Sequence, residues 1–446
     1  MNTLRYAAAA LLMSTGLTSA GIAAGSKAEA ASVLGTPGQI AAERIAVRLL
    51  ADPEIKAIQA AVRAELAATP VGQTPEGAAR LDHAIEQWTS SFIIKEIAGD
   101  PGAPQILWYD DNTPHDWHGH SIGMAVAGDN PDHIYRITTI DGSGRYEING
   151  QVDQAHRPAQ FSFESVRTNA ALRQNKSSAD MGSQIRMLTD QGVQVAPDGS
   201  FRLTVGGPDD GSNHLRTEPG RIGISVRDVL SDWTQKPNRL TIRRLDKPET
   251  APRDAATLRR DILAGLPAYL RFWAHFKDNW FGGMQANVPV GPVPRDGNWG
   301  YLAAARYVLA PGEAVVIRTS RGGARYTGIQ AVDAWMIAPD SREHQASVNL
   351  SQAKADPDGG YTYVLSPTDP GVPNWVDTGG LHQGYVQLRW QGFDSAGTGD
   401  GLLRGYKVVK LNQLKAEIAP DTPPVSPAQR AADIQARARA YRNRLD

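Results

Sequence analysis

The stretch His133-Ile-Tyr-Arg-Ile-Thr-Thr-Ile140, followed by Asp141-Gly-Ser-Gly144 and Arg145-Tyr-Glu-Ile148, decides the fold. β-branched and aromatic residues interleave with polar ones on both flanks, and the glycines between them supply a turn. The pattern predicts two antiparallel strands joined by a Gly-bearing hairpin loop. The same texture extends outward, with further strands expected at 160–165, 184–188, 201–205, 223–227 and 240–244. Closely spaced strands with no helical period between them point to an antiparallel sandwich or jelly roll.

Helical patterns flank this region. Thr36-Pro37, Asp52-Pro53 and Thr74-Pro75 each place a capping side chain before a first-turn proline, so three helices are expected over the segment 31–100. A long helix is expected from Asp254 to Trp280, with a kink at Gly265 and Pro267. Strands resume at 304–309, 314–318, 326–331, 361–365 and 386–390, and the Ala/Arg-rich tail from Ser426 reads as a solvated surface helix. The expected fold class is α+β, mainly β: sandwich or jelly-roll-like modules at 101–250 and 286–415, with a connecting helix at 251–285 and a helical tail at 416–446.

Composition narrows the chemistry. The chain has no cysteine, which excludes disulfides, thiol nucleophiles and thiolate-held metal centres. Its 46 basic and 47 acidic residues balance to a formal charge of -1, removing the electrostatic argument for nucleic acid or anionic lipid as partner. Arg5, the apolar run beginning at Ala7–Leu12 and Ala28-Glu29-Ala30 read as a cleavable signal peptide over 1–30, so export to the periplasm or beyond is expected. No later stretch is long and apolar enough for a membrane span. Phosphate-loop, dinucleotide, nucleophile-elbow, zincin and EF-hand signatures are absent.

Three constellations carry candidate chemistry. In His115-Asp-Trp-His-Gly-His120, an extended backbone would put His118 and His120 on one face, as a metal pair or as an acid–base pair. No carboxylate follows through Ala127, so the metal pattern lacks its usual third donor. Next, Gly128-Asp-Asn-Pro-Asp-His-Ile-Tyr-Arg136 groups Asp129, Asp132, Tyr135 and Arg136, although Asp-Asn-Pro is also ordinary turn chemistry. Last, Asp369-Pro-Gly-Val-Pro-Asn-Trp-Val-Asp-Thr-Gly-Gly-Leu-His382 offers Asn374, Trp375, Asp377 and His382 ahead of a strand carrying Arg389 and Trp390. Such a loop suits either a turn or a binding surface.

With these residues in view, the chain resembles a bacterial family catalogued as domain of unknown function 1214. The resemblance rests on Gly119-His120, Gly128-Asp-Asn-Pro-Asp-x-x-Tyr-Arg136, Ala331-x-Asp-x-Trp335, Arg342-Glu-His-Gln-Ala-Ser-Val-Asn349, and Asp369–Thr378 with Gly384 and Arg389-Trp390. It implies β-sandwich modules with a helical segment between them and no settled activity. His115 and His118 lie outside its pattern, which leaves His120 alone of the cluster.

The expected function is an exported enzyme that cleaves a small aromatic or polyol-type substrate by acid–base chemistry, a lyase before a hydrolase. It would use no cofactor, because soluble cofactors are scarce outside the cytoplasm. His120, Asp129, Asp132, Tyr135 and His382 are the expected catalytic residues. Arg136, Trp335, Asn349, Asn374, Trp375, Asp377 and Arg389 are the expected binding residues. A carbohydrate- or aromatic-binding module and a metal hydrolase using His118 and His120 are the alternatives. The expected partners are a small molecule and a second copy of the chain.

Overall fold

The computed structural model describes residues 32–168, 183–211, 213–295, 297, 299–394 and 399–443. The signal-peptide reading of 1–30 lies outside these residues. Helices α1 (Pro37–Leu50), α2 (Pro53–Ala67) and α3 (Pro75–Ala98) each begin as the sequence implies. Thr36, Asp52 and Thr74 accept hydrogen bonds from the backbone N–H of Gln39, Glu54 and Gly77, and each cap precedes a proline. Helix α4 (Ala255–Phe281) starts at the Asp254 cap, runs unbroken through Pro267, and packs on α2 and α3. Gly265 permits that approach, since a Cβ there would stand 2.7 Å from the Phe92 ring.

The molecule is mainly β, with strands in four sheets that pair face to face. In the first pair, one sheet runs in the order His120–Met124, Leu107–Trp117, His133–Asp141, Arg221–Val229, Gln160–Arg167, Gln184–Thr189. The facing sheet runs Arg239–Arg244, Tyr146–Gln151, Ser200–Val205, His214–Leu215. Phe161, Phe163 and Phe201 fill the space between them, with ring centroids 5.7–6.2 Å apart. The second pair sets Val290–Arg295, Gly300–Val308, Gln383–Gln391, Tyr326–Val332 and Ser347–Asn349 against Trp375–Asp377, Tyr361–Ser366, Glu313–Thr319 and Leu403–Lys410.

Two expectations change. The two segments quoted first are both strands but not a hairpin: 133–141 pairs with 107–117 and 221–229, whereas 146–151 pairs with 239–244 and 200–205. The Asp141–Gly144 turn carries the chain from one sheet to the other, so Ile140, Tyr146 and Ile148 all reach the same core. Gly142 passes so close to Glu218 that a Cβ would lie 1.9 Å from its carbonyl oxygen, and the Tyr146 hydroxyl accepts from the Asp141 N–H at 3.2 Å. The tail helix α5 (Pro427–Asn443) is anchored rather than merely solvated. Arg430 pairs with Asp369 at 2.9 Å, Arg437 donates to the Ser341 and Ser347 carbonyls at 2.9 and 3.0 Å, and the Tyr441 hydroxyl donates to Asp111. Among the described residues no helix is long and apolar enough to cross a membrane.

The two β modules meet at Asp132. Its buried carboxylate accepts from Trp233 Nε1 at 2.7 Å, Asn349 Nδ2 at 2.9 Å and the Tyr326 hydroxyl at 3.0 Å. Trp233 follows a strand of the first module, and Tyr326 and Asn349 belong to the second. Asp132→Ala would leave three buried donors without an acceptor, a loss of about 3–5 kcal/mol. Urea unfolding should show that shift; a loss below about 1 kcal/mol would contradict the role given to this carboxylate.

Candidate active site

A cavity of about 940 Å³ opens where the first sandwich, helices α3 and α4, and the second module meet. Strands 107–117, 133–141 and 221–229 supply Asp110, Tyr135 and Arg227 to its wall. Helix α4 supplies Gly265, Tyr269, Phe272, Trp273 and Phe276, and the second module supplies Arg295, Trp299, Gln387 and Arg389.

Two buried carboxyls, Asp110 and Asp129, line this cavity. Asp110 Oδ1 accepts from the Val126 N–H at 3.0 Å, and Asp129 Oδ2 from the Asn112 N–H at 3.3 Å. Asp110 Oδ2 and Asp129 Oδ1 have no hydrogen-bond partner among the described residues. A register shift between Trp108 and Asp110 breaks the strand's alternation just where Asp110 enters the wall. Asp129 follows Gly128, whose φ of 78° suits glycine, and the loop is stitched across to the second module. Gly128 N–H donates to the Met336 carbonyl at 2.8 Å, Gln330 donates to the Asp129 carbonyl, and Arg389 donates to the Gly128 carbonyl at 2.9 Å.

Burial dominates the electrostatics. It raises the Asp110 carboxyl well above the carboxylate range, and the neighbouring Asp129 adds to the rise. Burial, with Asp111 nearby, pushes Asp129 up to about 8. Tyr135 is pushed to about 12, also by burial. Burial and then Arg389 hold His133 well below its usual value, so the imidazole is neutral, and its Nδ1 lies 3.1 Å from the Tyr135 hydroxyl. The arrangement therefore offers carboxyls that stay protonated near neutral pH, a phenol backed by a neutral imidazole, and guanidiniums within reach.

Of the residues expected from sequence, Asp129, Tyr135 and Arg389 line the cavity. The others are elsewhere. His118 and His120 are exposed at the turn of a hairpin in which Trp117 pairs with His120. His118 (φ 52°) and Gly119 (φ 89°) are left-handed there, so the two imidazoles do not share a strand face. Among the described residues no group of three or more His, Cys, Asp or Glu is placed to hold a metal. Asp132 is saturated by its three donors, and Asn349 is one of them. Arg136 is paired with Asp228 and donates to the Asn238 carbonyl at 2.7 Å. Trp335 is buried among the helices, donating to the Gly77 carbonyl at 2.8 Å.

The 369–382 loop braces the second module instead of facing the cavity. Asn374 donates to the Lys354 and Thr362 carbonyls at 2.7 and 3.0 Å, and Trp375 to the Ser366 carbonyl at 3.1 Å. Asp377 lies 2.7 Å from His344 Nδ1, and His382 lies 3.3 Å from Glu76. Asp110, Arg227, Arg295, Trp299 and the α4 rings were not singled out from sequence. The one local hint was the acidic pair Asp110-Asp111 inside a β-like run; for the rest only long-range packing reveals the role.

No family model matches the chain, and no curated protein matches it. Its fold is similar to that of an uncharacterized protein from Burkholderia cenocepacia, with a TM-score of 0.64 at 22% identity over 82% of this chain and 99% of that one. A protein from Vibrio parahaemolyticus overlaps at a TM-score of 0.37 and 13% identity, over 64% of this chain and 90% of that one.

The raised Asp129 has a consequence for stability. Its folded pKa lies above the unfolded carboxylate value, so the native state holds the proton more tightly. That contribution is complete below about pH 4 and is lost as pH rises through about 8. Asp129→Asn cannot titrate. The melting temperature of the parent relative to this variant should fall as pH rises across that window; a difference that stays constant with pH would count against the raised value.

Proposed function

We propose that this chain is an exported enzyme that cleaves a small aromatic or polyol-type substrate by acid–base chemistry, using its own side chains and no organic cofactor, as an eliminating lyase. The observation that carries the reading is the pair Asp110 and Asp129, two buried carboxyls that line one cavity, each with one oxygen held by a backbone N–H and the other without a hydrogen-bond partner among the described residues. Buried carboxyls that hold a proton near neutral pH can serve as acid or base in such chemistry. The motifs shared with domain of unknown function 1214 support placing the chain near that family.

In this reading the ionised Asp129 takes a proton from a substrate carbon. The freed electron pair forms the carbon–carbon double bond as the adjacent carbon–oxygen bond breaks. Asp110, still protonated, gives its proton to the departing oxygen, and Arg389 stabilises negative charge that develops between the two events. Exchange with solvent then returns the proton from Asp129 to Asp110. Tyr135, backed by neutral His133, orients the substrate by hydrogen bonding.

A panel of aryl glycosides and aryl polyol ethers, incubated in ¹⁸O-water and read by mass spectrometry, tests the assignment. Elimination gives products whose masses sum to that of the substrate, with no ¹⁸O taken up. The rate should rise with pH toward about 8, and Asp110→Asn and Asp129→Asn should each lower kcat/KM by about 100-fold or more. Incorporation of ¹⁸O would make the protein a hydrolase, and recovery of every ligand unchanged would make it a binding module.

A further inference from the structure

Among the described residues, the cavity wall carries more cationic charge than it neutralises. Arg295 lies 3.3 Å from the centroid of the Trp299 ring and makes no hydrogen bond to a described residue. Arg227 lies 4.1 Å from the same ring, and its Nε and Nη1 are buried without a hydrogen-bond partner. The carboxylate nearest Arg227 is Glu164, 3.5 Å from Nη1. Among the described residues, Arg389 donates to neutral oxygens, those of Gln330, Gln387 and Gly128. Lys95 adds a fourth cation, 5.3 Å above the Tyr269 ring.

Other charges at the wall are paired. Arg167 meets Glu218 at 2.6 Å, Arg221 meets Glu96 at 3.0 Å, and Asp261 meets Arg253 at 2.8 Å. Among the described residues, the charged groups of the wall that remain are Lys95, Arg227, Arg295 and Arg389 against Glu164, Asp110 and Asp129, four cations and three carboxyls. With the two aspartates protonated, the excess is larger. Like charges gathered in a poorly solvated space repel one another, and a bound anion relieves that repulsion. The helical wall is of another kind, made of the rings of Phe92, Tyr269, Phe272, Trp273 and Phe276.

We infer that the cavity binds an aromatic carboxylate, with its anion held by Arg227 and Arg295 beside Trp299 and its ring packed on the aromatic wall of α4. This rests on reading the cavity as the substrate site and specifies the substrate class that the site takes. Planar guanidiniums suit the two oxygens of a carboxylate. A phosphate would be better served by a helix N-terminus. The wall takes α3 only in its last turns and α4 only from Asp261 onward, so neither helix start reaches it. The volume of about 940 Å³ accommodates a ring with a substantial side chain.

Calorimetric titration of the whole chain with cinnamate, cinnamamide, acetate and phenyl phosphate tests this. Cinnamate is expected to bind at least about 10-fold more tightly than each of the other three. Arg295→Gln should weaken cinnamate about 10-fold or more, and Arg295→Lys should recover part of the loss. Trp273→Leu should weaken cinnamate while leaving acetate unchanged. Absence of cinnamate binding, equal binding of cinnamamide, tighter binding of phenyl phosphate, or an Arg295→Gln variant that melts like the parent and binds cinnamate equally would each overturn the inference. None of these measurements reads turnover, so failure of the acid–base mechanism leaves them intact, and their failure leaves the isotope experiment free to succeed.

Discussion

The carboxylate of Asp132 is the contact on which the placement of the site depends. It is buried, and three donors from both β modules converge on it. Because the donors come from distant parts of the chain, satisfying the charge fixes the modules against each other. The segment on either side is then fixed as well. Asp129 stands three residues before it, and Tyr135 three residues after it on strand 133–141. The cross-module bonds to Gly128 and Asp129 hold the same loop from its other end. A side chain that the sequence suggests as a catalyst thus acts as the clamp that positions its neighbours.

The tight hold of the cavity's carboxyls on their protons follows from what is withheld from them. Elsewhere in the molecule carboxylates meet guanidiniums directly, as Asp369 meets Arg430 and Asp190 meets Arg325 at 2.9 Å. Asp110 and Asp129 meet backbone N–H groups instead, and the nearby Arg389 spends its donors on carbonyl oxygens. A carboxyl that is buried but not ion-paired keeps its proton. The same withholding leaves Arg227 and Arg295 against the face of Trp299, with Glu164, 3.5 Å from Arg227, as the carboxylate beside them.

Local signals in the sequence were readable, and long-range ones were not. The caps at Thr36, Asp52 and Thr74 and the start of α4 at Asp254 depend on contacts within a few residues, so their patterns suffice. The mainly-β class follows from strand texture alone. Whether 133–141 pairs with 146–151 depends on which core the intervening turn must serve, and the alternation reads the same in either case. In the site, Asp129, Tyr135 and Arg389 come from polar motifs that attract notice. Asp110 is concealed by a strand irregularity, Arg227 looks like an ordinary strand cation, and Arg295 falls outside the expected strands until the fold brings both to Trp299.

Helix α4 shows why the site cannot belong to one module. Leu258, Ile262, Leu266, Leu270 and Ala274 recur at four-residue spacing and bury themselves in the helical core. Tyr269, Phe272, Trp273 and Phe276 lie beside that stripe and form the cavity's aromatic wall. The two tasks are coupled, because any shift of the helix that repacks the first set moves the second. Gly265 sits where they meet, admitting the Phe92 ring from α3 while itself lining the cavity. The wall opposite comes from the first sandwich and from strands 290–295 and 383–391 of the second module. The cavity is therefore complete only when the helices and both β modules have assembled, which makes the Asp132 clamp a condition for the site as well as for the fold.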